Sequence, residues 1–353
     1  MHMLYDNALW ITDIDKVLHI LPELDNLAGK SVMVTGATGL IGSSVVDILC
    51  RYNDTHDEKI QIFAAGRSMK SMIIRFGEQT KREDFTFIAY NALKMDNKIC
   101  VHADYIIHGA GNAFPCMIVK EPVETMIGNF LGMKCLLDYA KEQETKRVLY
   151  ISSSEVYGEK KGNEPYREEQ YGYIDLLKPR SSYSIGKRAT ETLCVSYADE
   201  YGVESVVVRP GHIYGPTASP YDNRVSSVWA HSVARGEDII MKSNGTQIRS
   251  YCYCLDCASA ILKVLLCGGK SCAYNISNPN SVISIKEMAE ILVKNACVQL
   301  KQELCTVEEQ KGFNPMSNSS LDSTRLLNLG WTGCFNAEEG FSHTVKILKE
   351  MTC

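Results

Sequence analysis

The segment Ser31-Val-Met-Val-Thr-Gly-Ala-Thr-Gly-Leu-Ile-Gly42 carries the clearest structural signal in this sequence. Its first five residues are largely apolar or β-branched, which is typical of a buried parallel strand. The first glycine permits a sharp turn, the second lets the backbone approach a pyrophosphate, and the third lets a helix from Leu40 to about Tyr52 pack closely on the strand. The helix N-terminus would hold the phosphates. The predicted cofactor-binding residues of this turn are Gly36, Thr38, Gly39, Leu40, Ile41 and Gly42.

Short apolar runs alternate with longer amphipathic runs on the C-terminal side of this segment. Helices are predicted at Pro122–Glu142 and Ser182–Tyr201. Such alternation predicts an α/β fold, a Rossmann-type doubly wound parallel sheet. The further predicted strands are Ile60–Ala65, Phe85–Ala89, Tyr105–His108, Val148–Ser152 and Ser205–Val208.

The pattern changes after about Pro210, where loops rich in Gly, Pro, Ser and Asn separate helices near 226–235, 257–266 and 285–295. We expect three parts: an N-terminal extension (1–30), a dinucleotide-binding Rossmann domain (31–210), and a mainly substrate-binding lobe (211–353). The lobe would close over a ligand at the carboxyl ends of the strands. The extension is expected to contain an outer helix, on which Ile14, Val17, Leu18 and Leu21 share one face.

Composition argues against several classes of partner. The formal net charge of −5 leaves no basic stripe, so neither nucleic acid nor an anionic membrane is expected as a partner. No apolar run is long enough to span a bilayer, and the first residues lack the features of a secretory signal. We therefore expect a cytoplasmic protein.

The fourteen cysteines are scattered through apolar contexts, where cysteine serves as a small buried hydrophobe. The densest cluster, Cys252-Tyr-Cys-Leu-Asp-Cys257, contains a Cys-x-x-Cys pair. A zinc site would need a second pair or a suitably spaced histidine, and neither is present. We predict packing for this cluster and no metal site.

The strand ends after the glycine turn bear on cofactor choice. The second strand ends in Ala64-Ala-Gly-Arg67-Ser, with no acid to bind an adenosine ribose. Arg67 in that position could accept the 2′-phosphate of NADP, although a solvated arginine in a turn is the alternative and NAD stays open. Residues after the third strand are expected at the adenine, and those after the fourth at the phosphates and ribose. They are Asn91 and Ala92, and then His108, Ala110 and Gly111.

Tyr183-Ser-Ile-Gly-Lys187 predicts a proton-transfer pair, because residues four apart share a helix face. A phenol with a pKa near 10 needs a nearby ammonium to act as a base at neutral pH. Both side chains are also expected to contact the cofactor, Lys187 at the nicotinamide ribose. A lone Tyr-x-x-x-Lys is common on ordinary helices, so the interpretation depends on a second motif.

That second motif is Ser152-Ser-Ser-Glu-Val-Tyr-Gly158 at the end of the fifth strand. A serine hydroxyl there can relay a proton or bind a substrate oxygen. A glutamate directly after a buried strand is costly unless it is used, although a serine-rich turn is the structural alternative. The predicted catalytic residues are Ser153, Ser154, Glu155, Tyr183 and Lys187.

In combination these motifs resemble the nucleotide-sugar epimerase, dehydratase and decarboxylase branch of the extended short-chain dehydrogenase/reductase superfamily. The resemblance runs from about Lys30 to Lys349 and includes Arg209-Pro-Gly-His-Ile-Tyr-Gly-Pro216. It implies an enzyme that binds a nucleotide-diphosphate sugar, keeps NAD or NADP tightly bound and recycles it, and forms a homodimer through the helices at Pro122–Glu142 and Ser182–Tyr201. The substrate-binding residues that it implies are His212, Arg224 and Arg249.

Within this branch, Ser154-Glu155 is similar to UDP-glucuronate decarboxylases and to GDP-mannose 4,6-dehydratases, and Pro179-Arg-Ser-Ser-Tyr183 is closer to the decarboxylases. The resemblance thus implies oxidation of the sugar at C4 and decarboxylation of UDP-glucuronate, with a 4,6-dehydratase or an epimerase as alternatives. Two features depart from the decarboxylases: Arg67 has no acidic neighbour, and His212 stands where the branch usually has Asn. A dinucleotide-binding sensor without turnover ranks low, since Tyr183, Lys187 and Glu155 are all present.

Overall fold

The computed structural model describes residues 3–160, 162–294, 296–303 and 317–352. Its helices are α1 (Ala8–His19), α2 (Leu40–Thr55), α3 (Met69–Phe76), α4 (Pro115–Lys120), α5 (Pro122–Glu142), α6 (Ser182–Glu200), α7 (Val225–Ala234), α8 (Cys254–Cys267), α9 (Ile285–Val293), α10 (Thr324–Leu327) and α11 (Ala337–Thr352). Its strands are β1 (Ser31–Thr35), β2 (Gln61–Gly66), β3 (Phe85–Ala89), β4 (Tyr105–His108), β5 (Arg147–Ile151), β6 (Ser205–Pro210), β7 (His212–Tyr214), β8 (Ile239–Met241), β9 (Ile248–Tyr253), β10 (Ala273–Ile276), β11 (Val282–Ser284), β12 (Leu300–Gln302) and β13 (Asn318–Ser319).

Within the described ranges, seven strands form one parallel sheet in the order β10-β6-β5-β4-β1-β2-β3. The chain runs from β1 outward to β3, and then returns to the other side of β1 to begin β4. This reversal creates a crevice at the carboxyl ends of β1 and β4, where ligands of doubly wound sheets bind. The predicted fold class is confirmed.

Two helical layers cover this sheet. On one face, Val45 and Ile48 of α2 and Ile261 of α8 lie in the same buried cluster as Val32 and Val34 of β1. On the other face, the buried side chains of α5 and α6 pack against Met33 and other residues of the central strands. Because helices cover both faces of the sheet, apolar residues follow one another along each central strand and do not alternate with polar ones.

The predicted boundaries agree with the structure to within a few residues. The β3, β4 and α5 boundaries match the prediction, whereas α2 continues to Thr55 and β6 to Pro210. The predicted third helix of the C-terminal part is α9, which ends at Val293; its predicted end at residue 295 lies outside the described residues.

The N-terminal extension contains the expected helix, α1, which packs on the outside of α2 and α8 through the expected apolar face. Trp10, Ile14 and Val17 are fully buried in the core cluster of the main sheet. The indole of Trp10 donates a hydrogen bond to the buried carboxylate of Asp47 on α2 (2.9 Å), and Asp13 accepts from Tyr253 of β9 (3.0 Å). The described part of the extension therefore belongs to the core, because its apolar face covers apolar surface that α2 and α8 leave open.

Residues after 210 contribute to two layers. Strands β7, β9, β11 and β13 form a small sheet, and β12 pairs with β8. However, β10 pairs with β6 in the main sheet and α8 packs against α2. The assignment of 211–353 mainly to a substrate lobe stays a prediction, and these two elements belong instead to the layers of the dinucleotide-binding fold.

The cysteine cluster lies where this second part of the chain meets the first. Cys252, Cys254 and Cys257 are fully buried and unpaired. Among the described residues, no group of three or more His, Cys, Asp or Glu side chains is arranged to hold a metal ion. No described helix is both long and apolar enough to cross a membrane.

Candidate active site

The glycine turn between β1 and α2 is closely packed. Gly36 has a φ of +70°, and a Cβ atom there would lie 2.8 Å from the carbonyl carbon of Gly109. A Cβ on Gly42 would lie 2.4 Å from the oxygen of Gly36. No side chain caps α2, which begins after Gly39. The first amides of this helix are thus left to bind an anion at the crevice, which fits the pyrophosphate of a dinucleotide.

Three predicted cofactor contacts follow β2 and β3 on the same edge of the sheet. Arg67 is exposed, and no hydrogen bond or ion pair is recorded for it within the described residues. The side-chain oxygen of Asn91 accepts from the amide of Leu93 (3.1 Å), which fixes the turn after β3. Ala92 lies against Gly132 of α5. The guanidinium of Arg67 is therefore accessible to a ligand. Asn91 and Ala92, in contrast, make contacts within the protein that fix the loop after β3.

On the other side of β1, His108 ends β4 and is fully buried. Its Nδ1 lies 2.7 Å from the hydroxyl of Thr35, which also accepts from the amide of Ala110 (3.3 Å). Burial, with a smaller contribution from the charge of Lys187, lowers the pKa of His108 to about 3, so the imidazole is neutral. These contacts hold the loop that continues to Gly111 against the glycine turn. The role of Thr35 was missed; its only sequence signal is a polar residue at a strand end.

Tyr183 and Lys187 lie on one face of α6, as predicted, with both side chains buried. The ammonium of Lys187 donates to the carbonyl oxygen of Ile151 (2.8 Å). It lies 5.8 Å from the centre of the Tyr183 ring and 4.7 Å from that of Tyr150. Burial lowers the pKa of Lys187 to about 7, although the charge of Glu191 opposes this shift.

The pKa of the Tyr183 phenol is raised, whereas the sequence predicted that Lys187 would lower it. Burial, reinforced by the charge of Glu155, raises its pKa to about 12, while Ser153, Arg224 and Arg180 act in the opposite direction. The expected depression by Lys187 is not found in the protein alone, because the loss of hydration outweighs every nearby cation. A further positive charge at the crevice would be needed to make this phenol a base at neutral pH.

The motif after β5 forms a short 3₁₀ turn, Ser154–Tyr157, beside Tyr183. Ser153 caps it, accepting from the amide of Glu155 (3.2 Å). Both carboxylate oxygens of Glu155 are held, one by Arg180 (2.8 Å) and the other by the hydroxyl of Ser184 (3.2 Å). Ser154 is half-buried. The structure therefore brings the five predicted catalytic residues together, and adds Arg180 and Ser184, which were missed as separate candidates.

The three predicted substrate contacts lie around the small sheet. Arg249 is buried. Among the described residues, its guanidinium makes one hydrogen bond, which it donates to the carbonyl oxygen of Ile248 (2.9 Å). Burial lowers the pKa of Arg249 and, together with the charges of Arg249 and Arg224, lowers that of His212 to about 3. Arg224 is paired with the buried carboxylate of Asp222 (2.9 Å from Nε to Oδ2).

Several polar atoms of this sheet are buried without a hydrogen-bond partner in the described part of the protein. They are Nδ1 of His212, the side-chain oxygen of Gln247 and the hydroxyl of Ser319. Ser319 is in register with Arg249 across β13 and β9. Unsatisfied buried polar atoms beside a cation without a carboxylate partner indicate a site for an anionic, hydrogen-bonding ligand. Gln247 lies in the stretch Gly245–Tyr251, which the family resemblance implies binds the sugar nucleotide. Ser319 was missed, because nothing in the sequence indicates which polar residues of a strand are buried.

The fold, the glycine turn and the helix of Tyr183 and Lys187 define a dinucleotide-dependent enzyme of the extended short-chain dehydrogenase/reductase class. Residues 32–277 match the model of the NAD dependent epimerase/dehydratase family. The chain belongs to this family.

Curated relatives and solved structures agree with that assignment. UDP-glucuronic acid decarboxylase 6 of Arabidopsis thaliana is 29% identical over 88% of this chain and 86% of the relative. UDP-glucuronic acid decarboxylase 2 of the same plant is 30% identical over 91% of this chain and 69% of the relative. In fold, the chain is similar to UDP-glucose 4-epimerase of Thermotoga maritima, with a TM-score of 0.76 and 22% identity over 92% of this chain and 100% of that one.

Proposed function

We propose that this protein oxidises a nucleotide-diphosphate sugar at C4 and decarboxylates UDP-glucuronate. The observation that carries the proposal is the position of Glu155, whose carboxylate is held by Ser184, the residue after Tyr183. A carboxylate beside a buried phenol supplies a second acid–base group in addition to the Tyr–Lys pair. The relatives named as UDP-glucuronic acid decarboxylases support this choice of substrate.

The first step is proton removal from the sugar's 4-hydroxyl. Ser153 orients this hydroxyl and Tyr183 takes its proton, while Lys187 holds the ribose of the cofactor. A nicotinamide held by the glycine turn and Lys187 would supply the hydride acceptor for C4, and its positive charge would favour the phenolate of Tyr183. That charge offsets the burial that raises the pKa of Tyr183 to about 12 in the protein alone.

The second step is loss of the C6 carboxylate. With a ketone at C4, the carboxylate is β to a carbonyl, so the C5–C6 bond breaks, carbon dioxide leaves and the electron pair forms an enolate. Glu155 and Ser154 would deliver a proton to C5. Tyr183 would then return its proton to the C4 oxygen, and a bound nicotinamide would supply the hydride for C4, so that the product would be a UDP-pentose.

The small sheet would hold the rest of the substrate. Arg249 binds the diphosphate through its planar pair of donors, and His212 and Arg224 complete the contacts. Arg249 is buried and has no carboxylate partner among the described residues, which supports this role, since such a cation is costly without an anion.

The cofactor is NAD or NADP, and Arg67 favours the phosphorylated form. Its exposed guanidinium follows β2, where a 2′-phosphate would lie. We propose that the cofactor stays bound between turnovers, because each cycle regenerates it. Dinucleotide released from the pure protein by acid and separated by chromatography identifies which form is present.

We also propose a homodimer in the cytoplasm. Helices α5 and α6 pack side by side and expose Val123, Ile127 and Val195. These apolar side chains are a natural surface for a second copy of the chain. Cysteines that are unpaired throughout the described part of the chain support a reducing compartment.

The test is incubation of the protein with UDP-glucuronate, followed by NMR of the sugar and of released bicarbonate. A UDP-pentose establishes the decarboxylase, and an accumulating 4-keto pentose means that hydride return is slow. Unchanged UDP-glucuronate in the presence of bound cofactor overturns the proposal.

The second candidate is a 4,6-dehydratase, which the same Glu155 favours. If C6 carries a hydroxyl, this carboxylate removes the C5 proton and water leaves from C6. UDP-glucose and GDP-mannose are the substrates to try. Loss of water would leave a C5=C6 double bond, and a hydride to C6 from a bound nicotinamide with a proton to C5 would give the 4-keto-6-deoxy sugar. A protein that binds dinucleotide and converts none of these sugars would be the sensor.

A further inference from the structure

Arg180 forms an ion pair with Glu155, and the proposed mechanism assigns no role to this arginine. Arg180 lies in a short 3₁₀ turn, Pro179–Ser181, directly before α6. One of its terminal nitrogens donates to Glu155 (2.8 Å), and the side chains of Arg180 and Glu155 are 42% and 36% exposed. The pair is thus partly exposed to solvent, and both of its charges lie close enough to Tyr183 to affect the pKa of the phenol.

Arg180 has hydrogen-bond donors that no described residue accepts from. Its one recorded hydrogen bond within the described residues uses a single nitrogen, so the other terminal nitrogen and Nε are available. A planar guanidinium can bind one carboxylate on each edge. Burial acts to lower the pKa of Arg180, but the hydrogen bond and charge of Glu155 outweigh it and raise this pKa.

Binding of a sugar acid at this site would bring two negative charges together. Its C6 carboxylate must approach Glu155, and two carboxylates at close range repel each other. Arg249 cannot reduce this repulsion if it binds the diphosphate. A cation that lies between the two carboxylates would reduce it.

We propose that Arg180 determines the specificity of this site for a sugar acid. It neutralises Glu155 through one edge and binds the substrate's C6 carboxylate through the other. The inference rests on the proposed function, since it names the residue that admits the carboxylate of UDP-glucuronate. A neutral C6 hydroxymethyl group gains nothing from the same contact.

The experiment compares the dissociation constants of UDP-glucuronate and UDP-glucose, which differ at C6, by calorimetry on cofactor-loaded protein. A Tyr183→Phe background prevents turnover during the titration. Arg180→Met is expected to weaken UDP-glucuronate by about 30-fold and UDP-glucose by less than about threefold. Arg180→Lys should recover part of the loss, because a single ammonium keeps the charge but not the two-edged geometry.

Two further variants sharpen the result. Adding Glu155→Gln to Arg180→Met should restore part of the affinity for UDP-glucuronate, because the opposing carboxylate is gone. Arg235→Met removes an arginine that is similarly exposed and paired with Glu237 (2.7 Å) at the far end of α7, and should change neither affinity. Retained binding of UDP-glucose shows that each variant is folded.

The outcomes separate the inference from the proposed function. Equal losses for both sugars would mean that Arg180 acts only through local structure, and unchanged affinity for UDP-glucuronate would mean that it makes no contact; either overturns the inference while decarboxylation by the unaltered protein stands. If the unaltered protein neither binds nor converts UDP-glucuronate, the proposed function fails and the inference fails with it.

Discussion

Two buried arginines have opposite electrostatic surroundings. Arg209 forms a double hydrogen bond with the carboxylate of Glu191 (3.0 and 2.6 Å) and also contacts the hydroxyl of Tyr157 (3.1 Å). Among the described residues, Arg249 has one hydrogen bond, to a backbone carbonyl. A paired buried charge is part of the scaffold, whereas an unpaired one costs folding free energy and is expected where a ligand supplies the counter-charge.

Arg249→Met tests this difference. The variant should lose about 30-fold in affinity for UDP, which is about 2 kcal/mol and the worth of charge-assisted hydrogen bonds. Its free energy of unfolding should stay equal or rise, because the buried charge disappears. Calorimetry with UDP and urea unfolding give the two quantities.

Arg209→Met is the matched control. It leaves Glu191 buried without its partner, so unfolding should become easier by about 3–5 kcal/mol. If Arg249→Met destabilises the fold as much as Arg209→Met does, Arg249 is a scaffold residue and its assignment to the substrate is wrong.

The pKa of Lys187 predicts a pH dependence of stability. Burial lowers this pKa to about 7, so between pH 7 and the ordinary lysine pKa the unfolded chain binds more protons than the folded one. Stability from this group therefore rises with pH across that window. In cofactor-free protein, the free energy of unfolding relative to Lys187→Met should rise by about 2 kcal/mol between pH 7.5 and 9.5. A flat difference in urea unfolding over this range would contradict the burial of the ammonium.

At the scale of elements, the turn between β1 and α2 depends on backbone contacts that leave no room for a side chain. Gly42→Ala places a Cβ 2.4 Å from the oxygen of Gly36. The helix must then move away from the turn, which should cost about 1–3 kcal/mol of stability and weaken dinucleotide binding by about tenfold or more. Thermal unfolding and fluorescence titration with NADH and NADPH measure the two effects.

Gly128→Ala on α5 is the control for that substitution. Its Cβ would meet only the side-chain methyl of Leu93, at 3.3 Å, which can shift. Alanine also favours the helix over glycine. Equal losses of dinucleotide affinity in both variants would refute the role assigned to the turn.

The helix α1 provides an element-scale test of the N-terminal packing. Trp10 is fully buried in the core and its indole donates to Asp47. Trp10→Ala should destabilise the protein by about 3–5 kcal/mol, because it opens a large cavity and leaves a buried carboxylate with one partner fewer. Thr12→Ala, at an exposed position of the same helix, should change the urea midpoint little. Equal, small effects would place α1 outside the core.

At the scale of the whole molecule, the exposed apolar face of α5 and α6 predicts self-association. Ile127→Glu puts a charge in the middle of this face and should convert a dimer to a monomer in sedimentation experiments, since charged residues are depleted from interface cores. Ile74→Glu on α3 changes an isoleucine that is also exposed (62%) and should leave the assembly state unchanged. A dimer that survives Ile127→Glu would contradict the use of this face.

The sequence by itself determined the layer architecture and the order of the central elements. Local patterns suffice for this: β-branched runs, amphipathic runs and a glycine turn each act over a few residues, so β1, β4 and α5 could be located without tertiary contacts. The family also followed from motifs, because Tyr183 and Lys187 lie on one helix and Ser153 to Glu155 on one strand end.

Only the tertiary structure decided how distant residues combine. Trp10 meets Asp47, Arg180 meets Glu155, and Ser319 comes into register with Arg249 through contacts between separate segments. The same holds for the raised pKa of Tyr183, which burial sets rather than the neighbouring lysine. Burial and long-range pairing depend on the packing of the whole chain, so no local pattern specifies which polar residue becomes buried or which charge remains without a partner.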